Sequence, residues 1–208
     1  EHYRWLSIDH VCQSIMLKRV PSKLVLPHQY FMMLPLLFHT PDTICEIGLG
    51  AGSFARFFNS VLPNAPLTSI EADKRIIDCF YQYFPNSHKH HKIENQMFDH
   101  NAQLAGLNQI QWWLYDLYDP DLKEQGSAEA LCHFLKQGSK QTIRSINITS
   151  TCEQTVNKSL TVIKQHLSHC SVFYFEVPQY SNVVVIALPQ PPTSTAHSVL
   201  STVRQRRW

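Results

Sequence analysis

Three observations predict an α/β fold with a mostly parallel sheet. From Thr43 onward, short apolar runs alternate with amphipathic stretches of helical period, the pattern of a sheet covered by helices on both faces. One apolar run stops at a glycine cluster, Ile44-Cys-Glu-Ile-Gly-Leu-Gly-Ala-Gly-Ser53, and a helical pattern starts there. The alternation then ends on two strand-like runs joined only by Pro178-Gln-Tyr-Ser181, which read as a closing hairpin.

The elements follow in order. Tyr3–Ile8 and Val11–Leu17 alternate in polarity around Asp9-His10 and predict a short N-terminal β-hairpin. Gln29–Phe38 reads as helical. Strands are expected at 43–47, 67–71, 93–98, 110–115 and 144–148, and helices at 52–62, 74–84, 128–135 and 153–166. Val172–Val177 and Asn182–Leu188 complete a seven-stranded sheet, the last hairpin inserting one antiparallel strand. That insertion separates a methyltransferase-type, Rossmann-like sheet from the plain dinucleotide fold. The organisation is therefore a hairpin segment over 1–27, a nucleoside-binding domain over 28–190, and a tail over 191–208. The tail has no apolar periodicity and is expected to lie on the surface or fray, with Arg204, Arg206 and Arg207 as a solubilising end.

The glycine cluster carries the chemistry. Gly48, Gly50 and Gly52 let backbone approach a ligand closely. The following run, Leu67-Thr-Ser-Ile-Glu-Ala-Asp73, ends on Glu71, where an acid takes two ribose hydroxyls in nucleoside-binding folds. No Gly-Lys-Ser/Thr follows, which excludes a phosphate-cradling P-loop.

Composition narrows the rest. At 208 residues the chain suits one domain, and a net charge of +2 predicts neither a nucleic-acid nor a membrane-surface binder. The apolar run Phe31–Phe38 is too short to span a bilayer. Cys12, Cys45, Cys79, Cys132, Cys152 and Cys170 have no close pair, so reduced thiols in a cytoplasmic protein are expected rather than disulfides or a metal site. His88, His90 and His91 read as a solvated surface loop.

Ile110-Gln-Trp-Trp-Leu-Tyr-Asp-Leu-Tyr-Asp-Pro-Asp121 is a second informative stretch: a buried strand ending in three acids. Ligands sit at the carboxyl ends of strands in open α/β sheets, so Asp116, Asp119 and Asp121 should face the crevice of the glycine turn. Like charges there should raise at least one pKa toward use as a base. Asp-Pro-Asp is also ordinary turn chemistry. Trp112-Trp113 reads as core filling.

On these residues the chain resembles the spermidine synthase family, the aminopropyltransferases, as a divergent single-domain relative. The resemblance runs from about Tyr3 to Leu188. It includes Gln13-Ser14, His28 with Pro35, Glu46-Ile-Gly-Leu-Gly-Ala-Gly52, Glu71, the Asp116-x-x-Asp119-Pro120 turn, Ser127-Ala-Glu-Ala-Leu131, Asn147 and the final hairpin.

The resemblance implies Asp116 as the base and Asp119 as a second holder of the acceptor's charge. It implies a nucleoside donor, decarboxylated S-adenosylmethionine or S-adenosylmethionine itself, held by Gln13, Glu46, the turn glycines, Glu71 and Asp99. His28 and Tyr118 would border the acceptor. The partners implied are a small polyamine and a second copy as homodimer, with no metal. Two departures stand out. Ala51 occupies a turn position where the family commonly has an acid, which permits ordinary S-adenosylmethionine and hence a methyltransferase alternative. Leu117 and Tyr118 replace a small pair and narrow the acceptor channel. A non-catalytic nucleoside binder is the third reading.

Overall fold

The computed structural model describes residues 2–8, 10–84, 89–98, 107–119, 124–125, 128–149, 152–189, 193–195 and 198–200. Two antiparallel strands come first, β1 (Tyr3–Ile8) and β2 (Val11–Leu17). Helix α1 (Pro27–Met32) runs into a 3-10 turn, Leu34–Leu37. The alternating part holds β3 (Ile44–Ile47), α2 (Ser53–Val61), β4 (Leu67–Glu71), α3 (Lys74–Tyr83), β5 (His91–Asn95) and β6 (Trp112–Tyr115). A short ladder of β7 (Tyr118–Asp119) and β8 (Glu124–Gln125) precedes α4 (Ala128–Leu135), β9 (Ile143–Thr149) and α5 (Glu153–His166). The chain closes with β10 (Cys170–Glu176) and β11 (Asn182–Pro189).

Seven strands form one sheet in the order β10-β11-β9-β6-β3-β4-β5. The block β9-β6-β3-β4-β5 is parallel, and β11 lies antiparallel between β9 and β10. The expected architecture, including the inserted antiparallel strand, is the one observed.

The central strands are buried on both faces, which explains their near-continuous apolar sequence. Ile44, Trp112, Leu114, Val184 and Ile186 pack on one side with Met32, Phe54 and Phe58. Cys45, Ile47, Trp113, Tyr115, Ile146 and Val185 pack on the other with Phe134 and Ile163. Trp112 and Trp113 are core residues, and Trp112 Nε1 donates to Ser145 Oγ at 3.0 Å. None of the six cysteines is in a disulfide.

Three expectations shift. The third parallel strand was expected over 93–98 and instead spans His91–Asn95. Asn95 Nδ2 closes it by donating to the Glu71 and Ala72 carbonyls at 3.0 Å, which frees Phe98 to turn inward against Trp113 and Phe134. His91 belongs to that strand and is half-buried, its Nε2 lying 2.6 Å from Ser69 Oγ, so it is no part of a solvated loop. Leu200, within the segment expected to be a surface tail, is fully buried in the first core layer.

The N-terminal hairpin is fixed to the domain by the packing of Met16 and by Arg4, which donates to the Tyr83 carbonyl. Met16 packs with Leu49, Ala51, Ile77, Phe80 and Phe84, so β2 sits over the glycine turn.

Candidate active site

The turn between β3 and α2 is built by three left-handed glycines, with φ +93 at Gly48, +51 at Gly50 and +68 at Gly52. Each value lies where an L side chain is disfavoured. Glu71, ending the neighbouring strand β4, anchors this turn from the side. Its Oε2 accepts from Leu49 N at 3.2 Å and its Oε1 from Asp73 N at 3.0 Å. Burial raises the Glu71 carboxyl above its ordinary value, opposed by the amide donors of Asp73, Leu49 and Gly50. A carboxylate offers about four lone-pair sites, so capacity remains for further donors.

Above Gly50 there is room. A Cβ built there would come no closer than 3.8 Å to anything, the nearest atom being Ser14 Oγ of β2. Ser14 Oγ in turn lies 3.0 Å from Ser53 Oγ at the start of α2, which ties the hairpin to the turn. A backbone cradle with an acid beside it and open space above one glycine fits a nucleoside. Gln13, on the same strand, donates to the Val11 carbonyl at 3.4 Å and makes no contact with the turn among its hydrogen bonds.

Glu46 lies beneath the turn and not on its surface. It is 1% exposed, Ser69 Oγ donates to its Oε1, and its Oε2 has no partner among the described residues. Burial pushes its carboxyl up to about 8, with the charges of Asp116 and Glu71 adding to the rise and Ser69 and Arg56 opposing it. Between the ordinary 4.5 and about 8 the folded chain keeps a proton that the unfolded chain has lost, so stability falls as pH rises through that window. Glu46→Gln copies the protonated shape. It should flatten this slope and raise the melting temperature at about pH 9 while leaving it nearly unchanged at about pH 5. Thermal melts of both proteins across that range check the sign.

The second half of the site lies at the end of β6. Asp116 N donates to the Ile47 carbonyl at 3.0 Å, which holds the acid against the glycine turn. Its Oδ1 accepts from Asn147 Nδ2 at 2.8 Å, and its Oδ2 faces His28 Nε2 at 3.4 Å. Burial alone would raise the Asp116 carboxyl. The charge and hydrogen bond of His28, with the Asn147 amide, outweigh it and hold the group below the ordinary aspartate value. The sequence expectation of a carboxyl raised by neighbouring acids is thus reversed at Asp116, because the neighbours in contact are donors.

His28 is held by the elements around α1. Ser145 Oγ of β9 donates to the Met32 carbonyl at 2.8 Å, and Gln29 Oε1 accepts from Val25 N and Leu26 N at 3.4 and 3.3 Å. Asn147 was matched from sequence without a role, and Asn182 was missed. The signal was in the register: Tyr115 pairs with Ile146, so the next residues on β6 and β9 meet. Asn182, opening β11, donates through Nδ2 to Asn147 Oδ1 and to Thr149 Oγ1, both at 2.9 Å. Asp99 and Asp121 lie outside the described residues, as do the side chains of Tyr118 and Asp119. No group of three or more metal-ligating side chains occurs among the described residues. No helix there is long and apolar enough to cross a membrane.

No family model matches the chain. It is 40% identical over 74 residues to the polyamine aminopropyltransferase of a Neisseria meningitidis serogroup A strain, and 38% identical over 65 residues to that of Chromobacterium violaceum. The first match covers 35% of this chain and 28% of the relative, the second 31% and 25%. A probable spermidine synthase from Corynebacterium glutamicum superposes with a TM-score of 0.67 at 15% identity, covering 98% of this chain and 85% of that one. Human methyltransferase-like protein 13, in complex with SAH, gives 0.64 at 16% identity, over 88% and 95%. Over about a third of its length the chain is similar in sequence to polyamine aminopropyltransferases, and its fold is the one shared by the probable spermidine synthase and methyltransferase-like protein 13.

Proposed function

We propose that this chain is an aminopropyltransferase-like transferase, moving an aminopropyl group from decarboxylated S-adenosylmethionine to a small polyamine. The observation that carries the reading is Asp116: a carboxylate kept charged by His28 and Asn147 at the rim of a nucleoside-type glycine turn. A cofactor binder has no need of a half-buried, hydrogen-bonded negative charge at that strand end. A transferase acting on cationic amines has one. The names of the sequence relatives support the same class.

In this reading the donor supplies a carbon already activated by sulfonium. The chain supplies position and charge. Glu71 and the backbone of Leu49 and Gly50 hold the nucleoside, and Asp116 holds the acceptor nitrogen in line with the carbon–sulfur bond. Asp119, three residues along, is assigned to hold the same acceptor ammonium, with Tyr118 and His28 bordering it. Gln13 and Asp99 remain assigned to the nucleoside by resemblance alone. A methyltransferase is the second reading, favoured by Ala51, which offers no charge against the carboxylate of ordinary S-adenosylmethionine.

Methylthioadenosine release by the native chain, with putrescine, cadaverine and spermidine offered in turn, tests the first reading. Release of S-adenosylhomocysteine instead would establish the second. Both readings require Glu71, so Glu71→Ala should weaken methylthioadenosine binding by about 1.5–3 kcal/mol, the range for hydrogen bonds to a charged group. Calorimetric titration of the folded variant reads this directly.

A further inference from the structure

We propose that Asn182 is a positioning residue of the transfer step: it fixes the orientation of the Asn147 amide, which commits one oxygen of Asp116 and leaves the other to the acceptor. This role rests on the transferase reading above, in which Asp116 faces the acceptor nitrogen.

The strand register brings the side chains together. Asn182 opens β11 opposite Thr149, and Asn147 lies two residues back on β9, a diagonal neighbour on the same face. Tyr115 pairs with Ile146 across β6 and β9, which sets Asp116 beside Asn147. Asn182 Nδ2 donates to Asn147 Oδ1 and to Thr149 Oγ1, both at 2.9 Å. Asn147 Nδ2 donates to Asp116 Oδ1 at 2.8 Å and to Thr149 Oγ1 at 3.3 Å. Each amide nitrogen carries two hydrogens, so all of them are used within the network. Asp116 Oδ2 takes no amide donor among the described residues and lies 3.4 Å from His28 Nε2.

The count of donors and acceptors gives the network a direction. An ionised carboxylate only accepts, so Asn147 must present its N–H₂ to Asp116 and its oxygen to Asn182. Reversing Asn147 alone would set its oxygen against Asp116 Oδ1 and its N–H₂ against that of Asn182. Reversing both amides restores complementarity only when Asp116 carries a proton on Oδ1 and the Thr149 hydroxyl donates to Asn182. The observed polarity therefore matches a charged Asp116, and Asn182 holds that polarity from the neighbouring strand.

The charged groups around Asp116 are few. Burial raises its carboxyl, and His28 of α1 with the Asn147 amide holds it below its ordinary value. Glu46 on β3 lies near it, with Arg56 of α2 and Glu71 of β4 around Glu46. Arg144, three residues before Asn147 on β9, donates to the Thr142 and Gln137 carbonyls, and β11 carries no charged residue. In the transfer, the acceptor's ammonium gives one proton to Asp116. Its freed lone pair forms the C–N bond as the C–S bond breaks, and that electron pair leaves on sulfur as a neutral thioether. An Asp116 already protonated on Oδ1 has no charge with which to take this proton.

Carbon-13 NMR of the Asp116 carboxyl against pH, in the ligand-free native chain, Asn182→Leu and Asn182→Asp, tests the role. Asn182→Leu removes the donor without adding charge. Asn182→Asp can only accept, so it draws the Asn147 N–H₂ away from Asp116. The Asp116 titration should move up by about half a unit to one unit in Asn182→Leu and by about one to two units in Asn182→Asp, the larger figure being the loss of a hydrogen bond to a charged group. The acid limb of kcat at saturating amine should move in parallel. A merely structural role lowers the melting temperature and displaces neither titration nor limb. That result, in folded variants of a chain that turns over, overturns the proposal alone. In the native chain the Asn147 side-chain amide protons should exchange slowly with solvent at neutral pH, and fast exchange overturns the proposal without any variant. Failure of the native chain to turn over any amine or methyl acceptor overturns the transferase reading, and the role of Asn182 in transfer with it.

Discussion

Asp116→Asn should lower turnover with amine acceptors by about 10²–10⁴, the usual span for removing general acid–base catalysis. Nucleoside affinity should stay nearly intact. The substitution keeps the shape of the side chain but changes two things at once. It removes the negative charge that would face the acceptor nitrogen, and it turns one of two acceptor oxygens into a donor. Asn147 Nδ2 requires an acceptor at one position and is fixed there by Asn182. The new amide must then direct its N–H₂ toward His28 Nε2, so no carboxylate oxygen remains to take the acceptor's proton. Asp119→Asn should act differently, raising KM for the acceptor more than lowering kcat, because its assigned task is holding charge. A methylthioadenosine-release assay on both variants, beside a calorimetric titration of the nucleoside, separates loss of chemistry from loss of binding. Native turnover in Asp116→Asn would remove Asp116 from the mechanism.

The parts of this molecule that were legible in its sequence are those where one local rule dominates. The β3 turn could be read because three glycines on a strand-to-helix junction have few other uses, and all three take positive φ. The closing hairpin could be read because an aromatic-rich run and a β-branched run stand four residues apart. Glu71 could be read because its distance from the turn places it at the adjacent strand end, beside Leu49 N. What sequence missed depends on cross-strand neighbours. Glu46 looks from the motif like a residue of the cradle, yet the alternation of β3 sends it inward to Ser69, and burial then makes it a proton holder. Asp116 looks like one of an acidic cluster, yet its partners are His28 from a helix nearly ninety residues earlier and Asn147 from a strand thirty-one residues later. Those partners reverse the direction of its pKa. At Asp116 the interacting groups are neighbours in space rather than along the chain.

Gly48→Ala should cost about 2–6 kcal/mol of folding stability, the sum of about 1–3 for the strained backbone and about 1–3 for overlap in a packed region. Gly48 has φ +93, and a Cβ there would overlap the carbonyl oxygen of Asp116 and come 3.3 Å from Leu117 Cδ2. The oxygen belongs to backbone and cannot rotate away. Asp116 N is bound to the Ile47 carbonyl at 3.0 Å and Gly48 N to the Ile70 carbonyl at 2.9 Å, so both sides of the clash are fixed in the sheet. Relief requires the end of β6 to move, and that end carries Asp116. Stability and turnover should therefore fall together, a loss that is a large fraction of the 5–15 kcal/mol typical of a whole domain. Gly50→Ala is the control. Its φ of +51 is within the small left-handed region open to other residues, and the nearest atom to a Cβ is 3.8 Å away. That change should cost only about 1–2 kcal/mol, yet it fills the space above the cradle and should abolish nucleoside binding. Urea midpoints and nucleoside titrations of the two variants should rank in opposite orders. The same rank in both measurements would mean that the turn is a structural junction and that the nucleoside binds elsewhere.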